Sequence, residues 1–243
     1  MKLFVTISLL LILSAYGAGV TAGESTADNL PTVEEVLQRY VKAVGGRDVI
    51  EKLTTRECTG KMITDLPSRT APVHREKELT AYAKVSGSVL MILEDSSGIE
   101  KAGFDGQDRW RQTFAGVKED KDVGSNKIHW LLNPQNALRI GEYFPELTVA
   151  GIQKTVEGEF IVLESAKLDK AYYSLRFSIK TGLLKQIGHY WTLEDYREVD
   201  GMLFPFRVSM SRKGGQSTYE FNEVKHNIEI DDSIFARPAS ESK

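Results

Sequence analysis

The chain has 243 residues, 41% of them hydrophobic, with 31 basic side chains against 34 acidic ones and a single cysteine. That balance lacks the concentrated basic field that nucleic-acid binding requires, and it weakens the case for an anionic membrane surface. One thiol, Cys58, excludes an intramolecular disulfide, and a buried lone thiol behaves as a small apolar side chain.

Residues 1–22 read as an export signal: Lys2 is a minimal positive region, an apolar run extends from Leu3 to Leu13, and Val20-Thr21-Ala22 is a small-residue cleavage site. Ser14, Tyr16, Gly17 and Gly19 interrupt the run before it reaches the roughly 20 residues of a spanning helix. Cleavage near Gly23 is therefore expected rather than a permanent membrane anchor, and with it a periplasmic or secreted location. No cysteine stands at the cleavage site to carry a lipid. Residues 23–30 are small and polar and read as a flexible leader. Residues 31–243 hold no Pro/Gly/Ser linker and read as one domain.

Thr32 opens a helix. Thr32 and Glu35 have capping-box spacing, Glu34 and Glu35 lie at the positive helix end, and Gly45-Gly46 supplies the stop. Val33, Val36, Leu37, Tyr40, Val41 and Val44 follow the i, i+3, i+4, i+7 rule, so one broad face must be buried. A second short helix is expected over Asp48 to Leu53.

After Thr55 the period changes to two, punctuated by Asp105-Gly106, Thr181-Gly182, Asp200-Gly201 and Gly214-Gly215. Strands are expected near Arg56–Asp65, Arg75–Lys84, Ser88–Glu94, Glu100–Phe104, Arg109–Phe114, Leu147–Val156, Glu159–Ala166, Tyr172–Ile179, Leu183–Tyr190, Thr192–Val199, Phe204–Arg212 and Ser217–Val224. Tyr173, Leu175, Phe177 and Ile179 oppose Ser174, Arg176 and Ser178; Phe204, Phe206, Val208 and Met210 oppose Arg207, Ser209 and Ser211. Val89 through Leu93 does not alternate, which fits a strand covered on both sides or one at the most apolar part of the concave face. The mixed-sign run Lys118 to Asp122 reads as a solvated loop tip. From Trp130 to Phe144 the pattern is helical, restarted at Asn133-Pro134, and this insertion is expected to cross a sheet face. So many strands joined by tight turns form an antiparallel meander that must curl. The fold class is α+β: a strongly curved antiparallel sheet, an incomplete β-barrel, covered on its concave side by the N-terminal helix and the inserted helical segment.

Several stretches resemble the outer-membrane lipoprotein carriers and the lipoprotein-sorting-like envelope proteins. These are Val36-Leu37-Gln38-Arg39-Tyr40 through Gly45-Gly46 and Ile50-Glu51-Lys52-Leu53, then Phe104-Asp105-Gly106 with Trp110, then Tyr196 through Pro205, and finally Ile230-Asp231-Asp232 with Phe235 and Pro238. The resemblance covers most of the mature chain, and each motif in it is largely structural. It implies a half barrel around an apolar cavity and a carrier or sensor for acyl chains, lipids or lipoproteins, with an envelope protein as a further possible partner. Burial of a 16-carbon chain would supply on the order of 10 kcal/mol at ~0.8 kcal/mol per methylene. The chain departs from the family in its greater length and in offering no arginine assignable to the lid-locking role such carriers use.

The residues expected to line the cavity are Leu37, Tyr40 and Val41 of the first helix, Leu90, Ile92, Trp110, Phe177 and Phe206 of the sheet, and Trp130, Leu131, Tyr143 and Phe144 of the insertion. Ordinary core packing is the competing reading for each of these large apolar side chains.

Chemistry is sparse. His74, His129, His189 and His226 are far apart and form no zinc-binding pair; no G-x-S-x-G elbow or cysteine-protease signature is present. The adjacent acids Glu119-Asp120, Glu194-Asp195 and Asp231-Asp232 point to opposite faces of a strand or lie in turns. Glu57, Glu76, Glu78, Glu94 and Glu164 suit cross-strand ion pairs. No catalytic residue, metal or cofactor is expected. The leading expectation is a soluble exported carrier that binds a hydrophobic ligand between sheet and helices. The alternatives are an interaction or sensor module with a filled core and, third, a hydrolase or isomerase using acids inside the cup.

Overall fold

The computed structural model describes residues 30–67, 71–120, 125–212 and 214–239. The expected signal, nearly all of the leader and the end of the Lys118 to Asp122 run lie outside the described residues. Helix α1 (Val33–Ala43) starts where expected: the Thr32 hydroxyl accepts from Glu35 N at 3.2 Å, and the Glu35 carboxylate accepts from Thr32 N at 2.7 Å. Helix α2 (Arg47–Ile50) is shorter than the sequence predicts and starts one residue earlier.

Among the described residues thirteen strands then form one antiparallel sheet: β1 (Thr55–Leu66), β2 (Val73–Lys84), β3 (Val89–Asp95), β4 (Gly98–Phe104), β5 (Arg109–Thr113), β6 (Gly116–Glu119), β7 (Leu147–Thr155), β8 (Gly158–Ser165), β9 (Leu175–Ser178), β10 (Leu184–Ile187), β11 (Trp191–Val199), β12 (Met202–Arg212) and β13 (Gly215–His226). The order is β6-β5-β4-β3-β2-β1-β13-β12-β11-β10-β9-β8-β7. First and last strands thus pair at the centre, and the two free edges, β6 and β7, are consecutive in sequence. The chain must cross from one edge to the other, and it does so through α3 (Ser125–Leu132), a 3₁₀ turn over Asn136–Arg139 and α4 (Ile140–Tyr143). That topology is why the helical insertion falls where it does. Among the described residues no helix is long and apolar enough to cross a membrane.

Two details differ from expectation. The mixed-charge run begins in strand β6, which pairs with β5; charged side chains suit an edge strand, where they blunt further pairing. Tyr172 and Tyr173 lie in the short helix α5 (Lys170–Tyr173), capped by Asp169, so β9 begins only at Leu175.

The main core lies on the inner face. Leu79, Ala81, Val89, Met91, Leu93, Leu163, Leu175, Phe177, Leu193, Phe204, Val208 and Phe221 from the sheet meet Val36, Tyr40 and Val44 of α1 and Ile128, Trp130, Leu131, Ile140 and Phe144 of the crossover. A second, smaller cluster sits on the outer face, where Leu90 and Trp110 hold Phe235 of the C-terminal tail. Strand β3 is therefore apolar on both sides, which accounts for its failure to alternate.

Candidate functional site

The inner face is where the sequence places a ligand, and most of the expected residues meet there. Tyr40 packs edge-on against Phe177 with ring centroids 5.4 Å apart, Trp130 meets Phe144 at 5.5 Å and Tyr143 at 6.4 Å, and Leu131 and Phe206 belong to the same cluster. Leu90, Ile92 and Trp110 do not join them. They face outward, with the Trp110 Nε1–H donating to Phe235 O at 2.9 Å. In an uninterrupted apolar strand every residue is a candidate for either face, so the sequence carries no parity signal at Leu90 and Ile92. Trp110 lies across its partner Gly103, where a β-carbon would stand 2.4 Å from the indole.

Half of the α1 stripe is buried against the sheet, and the other half is not. Val33, Leu37 and Val41 are partly buried and line an open groove of about 760 Å³, closed on its far side by Ala137, Leu138, Ile140 and Gly141 of the crossover. The volume falls in the ~300–1,000 Å³ range of small-molecule sites. Glu34, Gln38, Lys42 and Arg47 rim it.

A buried arginine holds the crossover down. Arg56 lies at the start of β1 on the same face as Cys58, and its Nη1 donates to three carbonyls at the C-terminal end of α3: Leu131 O at 3.1 Å, Leu132 O and Asn133 O at 3.3 Å. Its guanidinium stands 4.4 Å from the centroid of Phe204, and Nη2 lies 3.3 Å from the Met202 sulfur. A cation at the negative end of a helix is favourable; burial still lowers the Arg56 pKa to about 10, which leaves it charged at neutral pH. Arg56 of β1 thus ties the C-terminal end of α3 to the sheet. The signal was its parity with Cys58 in a two-faced strand.

His226, the cross-strand partner of Arg56, completes the arrangement. Its Nε2 accepts from Arg56 Nε at 3.0 Å, which leaves Nδ1 to carry the proton toward Asp200 Oδ2 at 3.1 Å. Burial, then the Arg56 charge, lower the His226 pKa to about 4. A charged His226 would lose its acceptor and face Arg56 as a second cation. Asp200 occupies the β11–β12 turn with φ +52°, followed by Gly201 at +80°, the two positive dihedrals of a type I′ hairpin.

Two further side chains tether the crossover to its surroundings, and a third bond, from Trp130, braces it internally. Gln135 Nε2 donates to Glu51 O and Leu53 O at 3.0 and 3.1 Å, Arg139 Nη1 to Val85 O at 2.8 Å, and Trp130 Nε1 to Asn136 O at 3.1 Å. The α1 helix has fewer polar ties. Val44 O accepts from Leu203 N at 2.9 Å, Arg39 reaches Ile179 O, and Gly45 at φ +128° lets the helix end lie against Gly201 O.

The other histidines divide. His74 is exposed between Asp65 and Glu76, His189 is exposed, and His129 is buried in α3 with neither ring nitrogen hydrogen-bonded; burial lowers its pKa to about 4. Among the described residues no group of three or more His, Cys, Asp or Glu could hold a metal ion, and no Asp or Glu is among the buried polar residues. Burial raises the Cys58 pKa to about 12, far from that of a reactive thiolate.

This curled sheet with a cover crossing between its edges has counterparts among solved structures. A LolA superfamily protein from Nitrosomonas europaea superposes at a TM-score of 0.51 and 12% identity, over 86% of this chain and 99% of the other. The chain has the LolA-like fold. A DUF1329 family protein from Desulfovibrio piger superposes at 0.54 and 11% identity, over 84% and 97% of the two chains. No family pattern and no curated protein matches the sequence. At such identities the LolA-like fold is shared while side chains are not, so the latch of Arg56, His226 and Asp200 has to be read from this chain's own geometry.

Proposed function

We propose that the chain is an exported binding or carrier protein of the cell envelope that holds the apolar part of a lipid, acylated protein or other amphiphile between sheet and cover, without covalent chemistry. The observation that carries this reading is the apolar groove between α1 and the crossover, which opens directly onto the main core. Val33, Leu37, Val41 and Leu138 line it and pack against that core, and Ala137 and Ile140 belong to both. An acyl chain entering there would replace apolar contacts with apolar contacts, so the cost of displacing Leu37 or Leu138 is offset by the ligand's own burial.

One observation favours a second reading. The inner face is occupied by the protein's own side chains, with Trp130, Phe144, Phe177 and Phe204 almost fully buried. A filled core of this kind suits an interaction or sensor module that uses its surface. The two readings separate in one experiment: native mass spectrometry of the mature chain incubated with palmitate and with lysophosphatidylcholine. The carrier reading expects a one-to-one adduct that competes with either ligand. Absence of any adduct, with the protein folded, would leave the interaction module. The third expectation, an acid-based hydrolase, finds no pair of carboxylates among the buried described residues.

A further inference from the structure

A different hollow, of about 460 Å³, lies on the outer face of the sheet beneath the β7–β8 hairpin tip. Strand parity sets its lining. Leu175 and Phe177 of β9 point into the main core, so Arg176 and Ser178 point out. In β10 the pairing steps from Leu184–Phe177 to Gln186–Arg176, leaving Lys185 as the extra residue of a β-bulge. Leu184 and Ile187 both remain in the core. The bulge therefore turns two consecutive polar side chains, Lys185 and Gln186, to the same outer side, a re-aiming for which bulges are used beside functional sites.

The result is a polar wall over an apolar floor. Phe160 projects outward from β8 opposite Ser178, yet it is buried. Around it stand Arg176, Lys185, Gln186, Ser178 and Thr192. The Arg176 guanidinium donates through Nη1 to Gln186 Oε1, while its Nε is buried and has no hydrogen-bond partner. Lys185 Nζ rests 5.3 Å from the Tyr196 ring centroid. Neither cation enters an ion pair among the described residues. A guanidinium and an ammonium that line one hollow without a carboxylate partner are matched by the carboxylate of a ligand. The acids of the site, Glu157 and Glu194, are exposed, and Glu194 is already 3.6 Å from Arg207.

We infer that this outer-face hollow binds a small, singly charged carboxylic acid, its carboxylate held by Arg176 and Lys185 and its short apolar body resting on Phe160. The two glutamates repel a second negative charge, which sets a monocarboxylate above a phosphate monoester dianion. The site is separate from the groove beside α1 and stands or falls independently of it.

The probe is sodium hexanoate, titrated into the ¹⁵N-labelled mature chain, with hexanol and hexyl phosphate as comparisons. Saturable shifts are expected at the amides of Phe160, Arg176, Gln186 and Thr192, weaker binding of hexyl phosphate, and none of hexanol at those amides. Arg176→Gln should weaken hexanoate about tenfold or more, the scale of one charge-assisted contact, and Lys185→Gln should weaken it less. Shifts confined to α1 and residues 137–141, equal affinity in the Arg176→Gln variant, or equal binding of acid and alcohol would each overturn the assignment. Should Arg176→Gln not fold, Lys185→Gln and the acid-against-alcohol comparison decide it.

Discussion

The two pieces that cover the inner face are fastened by different chemistry. Helix α1 is held mainly by apolar side chains, with the exposed Arg39 and the main chain at its C-terminal end as its polar ties, whereas the crossover is tied by the buried Arg56 of β1, which donates to carbonyls at the end of α3, and by its own Gln135 and Arg139, which donate to carbonyls outside it. Apolar contacts are exchangeable with an oily ligand at small net cost. Hydrogen bonds to a buried cation are not, because breaking them strands charge in a low-dielectric interior. On the proposed carrier reading the difference divides the roles: α1 is the piece that would yield to a ligand, and the crossover is the piece that would stay in place.

The largest effect should come from the latch. Arg56→Ala leaves the carbonyls at the end of α3 and the His226 acceptor without their donor, and by the usual cost of breaking a buried charged network should lower unfolding free energy by about 3–5 kcal/mol in urea titrations. A loss below 1 kcal/mol would show that the crossover is held by apolar packing, as α1 is.

Acid should act on the same element. His226 and His129 both have folded pKa values of about 4 against 6.5 in the unfolded chain. Between those values the unfolded chain takes up protons that the folded chain does not, so the histidine contribution to stability falls as pH falls from about 6.5 toward 4 and is complete below. The drop should be on the order of 3 kcal/mol for each histidine. His226→Gln should remove about half of that slope, measured as urea midpoints from pH 7 to pH 4. An unchanged slope would detach His226 from the latch.

The smallest effect belongs to the groove. Leu37 is only partly buried, so Leu37→Ala should cost about 1 kcal/mol in the same titrations, below the 2–5 kcal/mol of a fully buried leucine. Palmitate affinity, by contrast, should fall about tenfold through the lost apolar wall. A stability loss as large as that of Arg56→Ala would make α1 a fixed part of the core.

Much of this was legible in the residues. The capping box of Thr32 and Glu35, the hairpin at Asp200-Gly201 and the two faces of β12 are local signals, and each is realised. What failed was parity where composition is uniform. Val89 to Leu93 offers no polar residue to mark the wet side, so the sequence does not say which of its side chains face inward, and Leu90 and Ile92 pack with Trp110 on the outer face. Arg56 is buried although a charge is ordinarily exposed, and the sign of it in the sequence is its alternation with Cys58. The bulge at Lys185 has no local signature at all, since register is set by the neighbouring strand.

The most direct test of a yielding helix over a latched crossover is amide hydrogen exchange with and without palmitate at pH 7. The account predicts that palmitate changes protection in residues 33–46 and 137–141 while the end of α3, residues 130–133, and the strands of the sheet stay as they were. Uniform protection unaffected by palmitate, or release of residues 130–133 ahead of α1, would contradict it.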